Sequence, residues 1–600
     1  MSDALPTLAM ERFPGLTQAE LSFLDSALNG QVAICSDNAD DANPMNWPGS
    51  SAVWGQGRAV RSALIEWLCS PLPEGCSVNG KGIHIYGAKI HGVLNLGYAR
   101  IQFPLTFHRC GFEEDVSFKN AKVLSLIFPG CWTKTLLADG VEVANNVTLT
   151  DGFHSDGEVL FRDASVGGGF RADGGFFHYA AGAKHGANAG NALGCDRMKV
   201  NGTIFLSTAK EPSRFKGEVG LAGARSGSNI ECDGGAFENP GEFAIRADRI
   251  AAVGTISFRK GFSAKGVVHL PNSKMQALDC TNGKFEGDGT TAINAEGATA
   301  VGPVVFDQSV VMNGSIGLRG ISAGDVSCRL CQLSSLDLRH ARIHRTFRWQ
   351  DISKPSSTIL DLRDARIESI QDVAASWPSN GNLYLDGLTY GGFAASPTDV
   401  DARLRWIRLD SSNPPRAYKQ LASAYSTAGE TGSSRETLFH LEELLHLRQL
   451  DSICFSPFKP ILSAWNQLLK WTIGYGYKLE RAFGWMFLLT LLGFFISSIG
   501  YKGKIIDPTD KDAFVFFMAH GNAPASYQRF SSLIYSLEHS IPAINLGVSA
   551  SWSADSVGQY PGRPFYVYRL RWWFWAQTLI GWGLSIFFIA GITGLVKSDK

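Results

Sequence analysis

Residues 94–123 read LNLGYARIQFPLTFHRCGFEEDVSFKNAKV. Within them Leu94, Leu96, Ala99 and Ile101 are followed by Leu105, Phe107, Cys110 and Phe112, then by Val116, Phe118, Ala121 and Val123, each set eleven residues after the last. An apolar residue two positions after another marks a strand, because side chains alternate between its faces. The frame returns at Val159, Phe161, Ala164 and Val166, at Leu278, Cys280, Gly283 and Phe285, and at Leu360, Leu362, Ala365 and Ile367. A unit this short cannot bury its apolar row alone, so it must stack on copies of itself. Small residues at the third slot suit a corner where backbone crowds the interior. With two units per coil, a strand spacing of about 4.8 Å predicts a rod of about 14 coils, about 70 Å long. The fold expected over 79–397 is a mainly β, right-handed parallel β-helix (solenoid), the hand following the rule for parallel crossovers.

Composition agrees with a repeat. The chain has 600 residues, long for one ordinary core, and 65 of them are glycine, which suits many tight turns between buried strands. Lys and Arg total 55 and so do Asp and Glu, which argues against nucleic acid as a partner. The 11 cysteines have no disulfide-scaffold spacing and are expected reduced and buried. Cys328 and Cys331 form C-x-x-C, a redox or half-zinc pattern, but both fall on repeat slots and read as core packing. The opening MSDALPTLAMERFPG has no basic and apolar leader, so the solenoid is expected in the cytoplasm.

Solenoid ends need covers, because exposed strand edges pair with other chains. Residues 1–78 read as a helical cap: Thr17 and Glu20 have capping-box spacing before Leu21, Leu24 and Leu28, and Val53 to Cys69 reads as a second helix. Residues 398–470 read as a helical hairpin, with Pro415 at one helix start, Gly429 at its end and Ser433 opening the next. His440 and His446, six apart on that second helix, face different ways and are expected to be exposed.

Residues 471–600 form a two-span α-helical membrane domain, with transmembrane helices over 482–499 and 572–596. Lys470, Lys478, Arg481, Lys597 and Lys600 favour both ends in the cytoplasm; Arg569 and Arg571 oppose this. Between the spans, Phe530, Leu533, Ile534 and Leu537 share a helical face that Pro542 ends. Such a helix rests on the bilayer surface or re-enters it, the latter being the order of two-span channel subunits. Glu538 and His539 on this helix are the candidate functional residues of the membrane loop, because ionisable groups at membrane depth are costly. If the helix re-enters, the partner of Glu538 is expected from another helix or subunit, since neighbours on a helix do not face each other.

Other chemistry is not legible. Gly55 and Gly57 do not follow a strand, and Gly167 to Gly169 precede no helix, so neither forms a dinucleotide fingerprint. The sequence assigns no catalytic, cofactor-binding or metal residue and implies no cofactor.

Two stretches, LDLRHARIHR from Leu336 and LDLRDARIES from Leu360, resemble pentapeptide repeats locally. The block Pro415, Tyr418, Gln420, Leu421, Ala422, Gly429 and Arg435, then IGYGYKLERAF from Ile473 and YSLEHSIPAINLG from Tyr535, resembles a widespread bacterial family of β-helix membrane proteins. Arg58, Arg61 and Trp67 extend the likeness forward. Members are commonly labelled membrane-associated oxidoreductases, but no flavin, nicotinamide, haem or metal pattern here gives that label a mechanism. The resemblance implies a multi-pass protein of the bacterial inner membrane. The expected function is a membrane-anchored scaffold that presents a rigid surface to a protein partner, with the lipid bilayer as its other contact. A pore gated by the solenoid and an oxidoreductase are the alternatives, and a homo-oligomer is compatible with each.

Overall fold

The computed structural model describes residues 4–179, 190–210, 212–452, 459–478, 480–541, 543–554 and 564–592. The insertion at 180–189 and the expectations placed on Cys454, Pro542, 593–596, Lys597 and Lys600 lie outside these. The chain divides into two units, Met1–Gln420 and Leu421–Lys600.

The first unit is the β-solenoid. Every strand pairing within it is parallel and joins a strand to its counterpart one coil away. One inward column runs Ile83, Leu105, Leu126, Val147, Phe170 and Ile204 in register and continues to Phe393. A second column on the other sheet runs Leu94, Val116, Leu136, Val159 and Leu193. Leu94 and Leu105 therefore do not stack on each other; each repeat unit covers half a coil, as the spacing predicts.

The small third slot sits just past a tight turn. In the unit at Val116, the Ala121 amide donates to the Phe118 carbonyl at 3.0 Å, and Asn120 between them has φ +55°. A turn with positive φ at its third residue favours Gly or Asn. That turn position holds Asn120, Gly140, Asp163, Asn282 and Asp364 on different coils, and Tyr98, Arg197 and His340 on others. At Gly140 (φ +67°) a Cβ would also stand 2.3 Å from Asn120 Oδ1 of the preceding coil, so the turn stacks closely on its neighbour. Aromatic side chains stack from coil to coil inside the solenoid: Phe215 lies on Phe177 at 4.9 Å and on Phe237 at 4.6 Å.

At the N-terminal end, helices α1 (Ala4–Arg12) and α2 (Gln18–Asn29) cover the first coil. The capping box forms: Glu20 accepts from the Thr17 amide, and its own amide donates to the Thr17 hydroxyl. Glu20 is fully buried and also binds Arg61 through the backbone amide at 3.0 Å and the guanidinium at 2.7 Å. The helix expected over 53–69 is shorter. Only α3 (Ser62–Leu68) is α-helical, with a 3₁₀ turn at Gln56–Arg58 before it, because Ala59–Arg61 is spent as a strand paired with Lys89–His91. Val32–Ile34 likewise pairs with Ile83–Tyr86. At the other end, α4 (Val400–Arg408) brings Arg403, fully buried, into an ion pair with Asp372 at 2.7 Å and over the Phe393 ring at 3.7 Å. The helix α5 (Pro415–Thr427) follows, starting at Pro415 as expected.

The second unit contains α6 (Thr431–Ser452), α7 (Lys459–Thr472), α8 (Glu480–Lys502), α9 (Lys511–His520), α10 (Ser532–Ser540), α11 (Val548–Ser551) and α12 (Pro564–Ile592). Two of these, α8 and the 569–590 stretch of α12, are long and apolar enough to cross a membrane, and only 22% of each is buried. Phe487 is 71% exposed and Leu579 73%, so the apolar faces await a non-aqueous surround. His446 is not free in solvent as expected: it stacks on Tyr475 at 4.7 Å, and both rings belong to this unit.

Candidate functional site

The site grows from α10, whose first turn is capped by Ser531. Its serines recur at 532, 536 and 540, one helical turn apart, so one narrow polar stripe runs along the helix. That stripe is wedged between α8 and α12. Ser497 Oγ donates to the Ser532 carbonyl at 3.1 Å, and Ser536 Oγ donates to the Thr490 carbonyl at 2.6 Å. From the opposite side Gln577 Nε2 lies 3.0 Å from Ser536 Oγ and donates to Ser540 Oγ at 2.8 Å. Thr490 lies near the middle of α8, and Gln577 near the middle of the apolar stretch of α12. The last turn of α10 therefore stands level with the centres of both apolar helices.

Glycine makes the approach possible. A Cβ on Gly493 would fall 2.2 Å from Ser536 Oγ, and one on Gly581 would fall 2.3 Å from the Ser540 carbonyl oxygen. Small residues are the usual means by which membrane helices pack closely.

Glu538 points the other way. It is 6% exposed, and its carboxylate accepts from the backbone amides of Leu546, Val548 and Ser549, the Val548 contact being 3.2 Å. Its partners lie in the same chain: the amide of Leu546 and those of Val548 and Ser549 in the short helix α11, whose first N–H groups are otherwise free. The carboxylate thus pins the loop 546–549 to α10.

His539 faces α12. Its Nδ1 lies 3.0 Å from Thr578 Oγ1, and that hydroxyl donates its one proton to the Phe574 carbonyl at 2.9 Å. Thr578 must then accept from His539, which assigns the Nδ1–H tautomer and leaves Nε2 as a lone-pair acceptor. Among the described residues His539 Nε2 and Gln577 Oε1 meet no hydrogen-bond partner, and Gln577 is 1% exposed. Two acceptors without donors thus stand between the apolar helices, able to receive hydrogen bonds from water or a polar solute.

Around this core the loop between the spans is folded. Ile506–Pro508 pairs antiparallel with Trp552–Ala554, and Ile506, Phe517, Tyr535, Val548, Trp552 and Phe574 form one apolar cluster. Sequence reasoning missed α9, although Asp510 as its N-cap and Gly521 in the left-handed conformation at its end are ordinary boundary signals. It also passed over Gln577, whose signal was a polar residue inside an apolar run.

Elsewhere the legible chemistry is structural. Cys328 and Cys331 are free and fully buried, the Cys331 thiol donates to the Phe306 carbonyl at 2.9 Å, and a hydrogen bond with Cys331 together with burial pushes the Cys328 thiol well up. Such thiols pack rather than react. Among the described residues no three His, Cys, Asp or Glu side chains are grouped to hold a metal ion. Comparison of the chain with protein-family models, with curated proteins and with solved structures finds no match, so the resemblance to the bacterial β-helix family rests on the residues quoted for it alone.

Proposed function

We propose that this protein is a membrane-anchored scaffold whose solenoid presents a rigid binding surface in the cytoplasm. The observation that carries the reading is the interior of the solenoid: inward positions such as Leu105, Leu126, Val147, Phe170 and Ile204 are each about as buried as a side chain can be. Among the described residues these inward side chains fill the interior, so whatever the solenoid recognises meets its outer walls. The exposed apolar faces of α8 and α12 supply the anchor. The test is crosslinking and affinity capture of the full chain from membranes. A reproducible partner that crosslinks to solenoid residues supports the scaffold; crosslinks confined to 480–592, or none, reject it.

A pore gated by the solenoid is the second reading, favoured by α10 lodged between the two apolar helices with its serine stripe and His539. Planar-bilayer recording on purified protein decides it: no conductance, together with a monomer in detergent, removes it.

A further inference from the structure

Strand pairing brings together a column of side chains that are scattered in sequence. It begins with Arg100 and Lys122, side by side on successive coils, followed by Glu142 and Ser165. It continues with Lys199 beside Arg225, then Ala251 and Lys274. After Thr299 and Ser322 it closes with Arg342 beside Arg366, followed by Thr389. At about 4.8 Å per coil the strip from Arg100 to Arg366 is roughly 50 Å long.

The basic residues of the strip are exposed. Lys122 pairs with Glu142 at 2.6 Å; Arg100, Lys199, Arg225, Lys274, Arg342 and Arg366 have no carboxylate partner among the described residues. The rest of the solenoid behaves differently. Its other arginines are largely neutralised, as in Arg162 with Asp139, Arg259 with Asp233, Arg329 with Asp307 and Arg363 with Asp361. Like charges in register on adjacent strands repel, so the two unneutralised neighbourings on this column, Lys199 with Arg225 and Arg342 with Arg366, are a standing cost. An anionic partner relieves it.

We propose that this column is the docking strip for an acidic, extended segment of a partner polypeptide, a reading that rests on the scaffold function above. Two features select a polypeptide. The strip is recessed at its two ends: a cleft of about 730 Å³ is lined by Arg100, Lys122, Ala144 and Gly167, and one of about 410 Å³ by Arg342, Arg366, Thr389 and Gly391. A flat lipid surface does not reach such floors, whereas a single extended chain does. The positive charge also comes mostly in pairs, interrupted by Glu142 and Ser165 and then by Ala251, a lone Lys274, Thr299 and Ser322, with Glu142 and Glu368 bordering the clefts. A nucleic acid, charged at every nucleotide, would meet those carboxylates; a polypeptide places its acidic residues only opposite the basic pairs.

The experiment uses the full chain in neutral detergent, with fluorescent poly-L-glutamate and a single-stranded oligothymidylate of matched charge as probes. Wild type is expected to bind polyglutamate more tightly than the oligonucleotide. The pairs Lys199→Glu with Arg225→Glu, and Arg342→Glu with Arg366→Glu, each weaken binding by about tenfold or more. Lys284→Glu, an exposed lysine on the other sheet, leaves it unchanged. Equal affinity in the paired variants, or tighter binding to the oligonucleotide, overturns the proposal. Affinity capture with the same variants separates its failure from that of the scaffold. A solenoid-crosslinked partner retained by the paired variants overturns the strip alone; absence of any such partner from wild type overturns both.

Discussion

Glu538→Gln tests the arrangement on which the membrane-domain site depends. The carboxylate offers one oxygen to the amides of Leu546 and Val548 and the other to the amide of Ser549. A glutamine keeps one acceptor, and its amide nitrogen then faces an N–H, donor against donor. At least one hydrogen bond to a charged group is lost, at about 1.5 to 3 kcal/mol, and the Ser549 amide gains no substitute partner. Taking about 2 kcal/mol as the loss, the loop opens roughly thirtyfold more often. Hydrogen exchange of the full chain in detergent reads this directly as faster exchange of the amides at 546–549, with the solenoid strands unchanged. Unaltered protection at those amides would refute the pinning role, and an effect spread across the solenoid would show that the substitution acts through global folding instead.

Three further outcomes follow from the packing. Gly581→Leu drives a side chain into the Ser540 carbonyl, whereas a Cβ on Gly583 meets nothing within 4 Å; the first should lower the melting temperature of the protein in detergent and Gly583→Leu should not, and equal melting would contradict the close approach of α10. Phe215→Ala removes the middle ring of a buried stack and should cost about 3 to 5 kcal/mol in denaturant unfolding of the solenoid, a loss below about 1 kcal/mol arguing that the ring is not packed as described. Glu20 shows how a cap depends on pH: burial opposes its charge, but bonds from Arg61 and Thr17 prevail and hold its carboxyl below the ordinary 4.5. Its contribution is complete above that value and fades as pH falls through the lowered one, so Glu20→Gln should flatten the acid limb of the stability curve below about 4.5 while leaving its shape near neutrality intact.

Much of this architecture is legible in the amino-acid sequence, because in-register parallel stacking demands the same kind of residue at the same slot of every coil. Leu94, Leu105 and Val116 announce the solenoid, and the uncharged runs announce the two apolar helices, through local pattern alone. The turn slot filled by Asn120, Gly140 and Asp163 is partly local, since positive φ favours Gly, Asn and Asp, although Tyr98 and His340 also occupy it. What the tertiary structure alone decides is which distant residues meet. The basic strip is hidden in sequence because coils differ in length: Lys122 and Glu142 are neighbours on successive coils, and so are Ser165 and Lys199, across a much longer stretch. The site around α10 is hidden for another reason. Gly493, Ser536, Gln577 and Gly581 come from three helices with no shared period, and only their packing reveals that glycines admit a serine stripe and that the backbone amides of Leu546, Val548 and Ser549 hydrogen-bond Glu538.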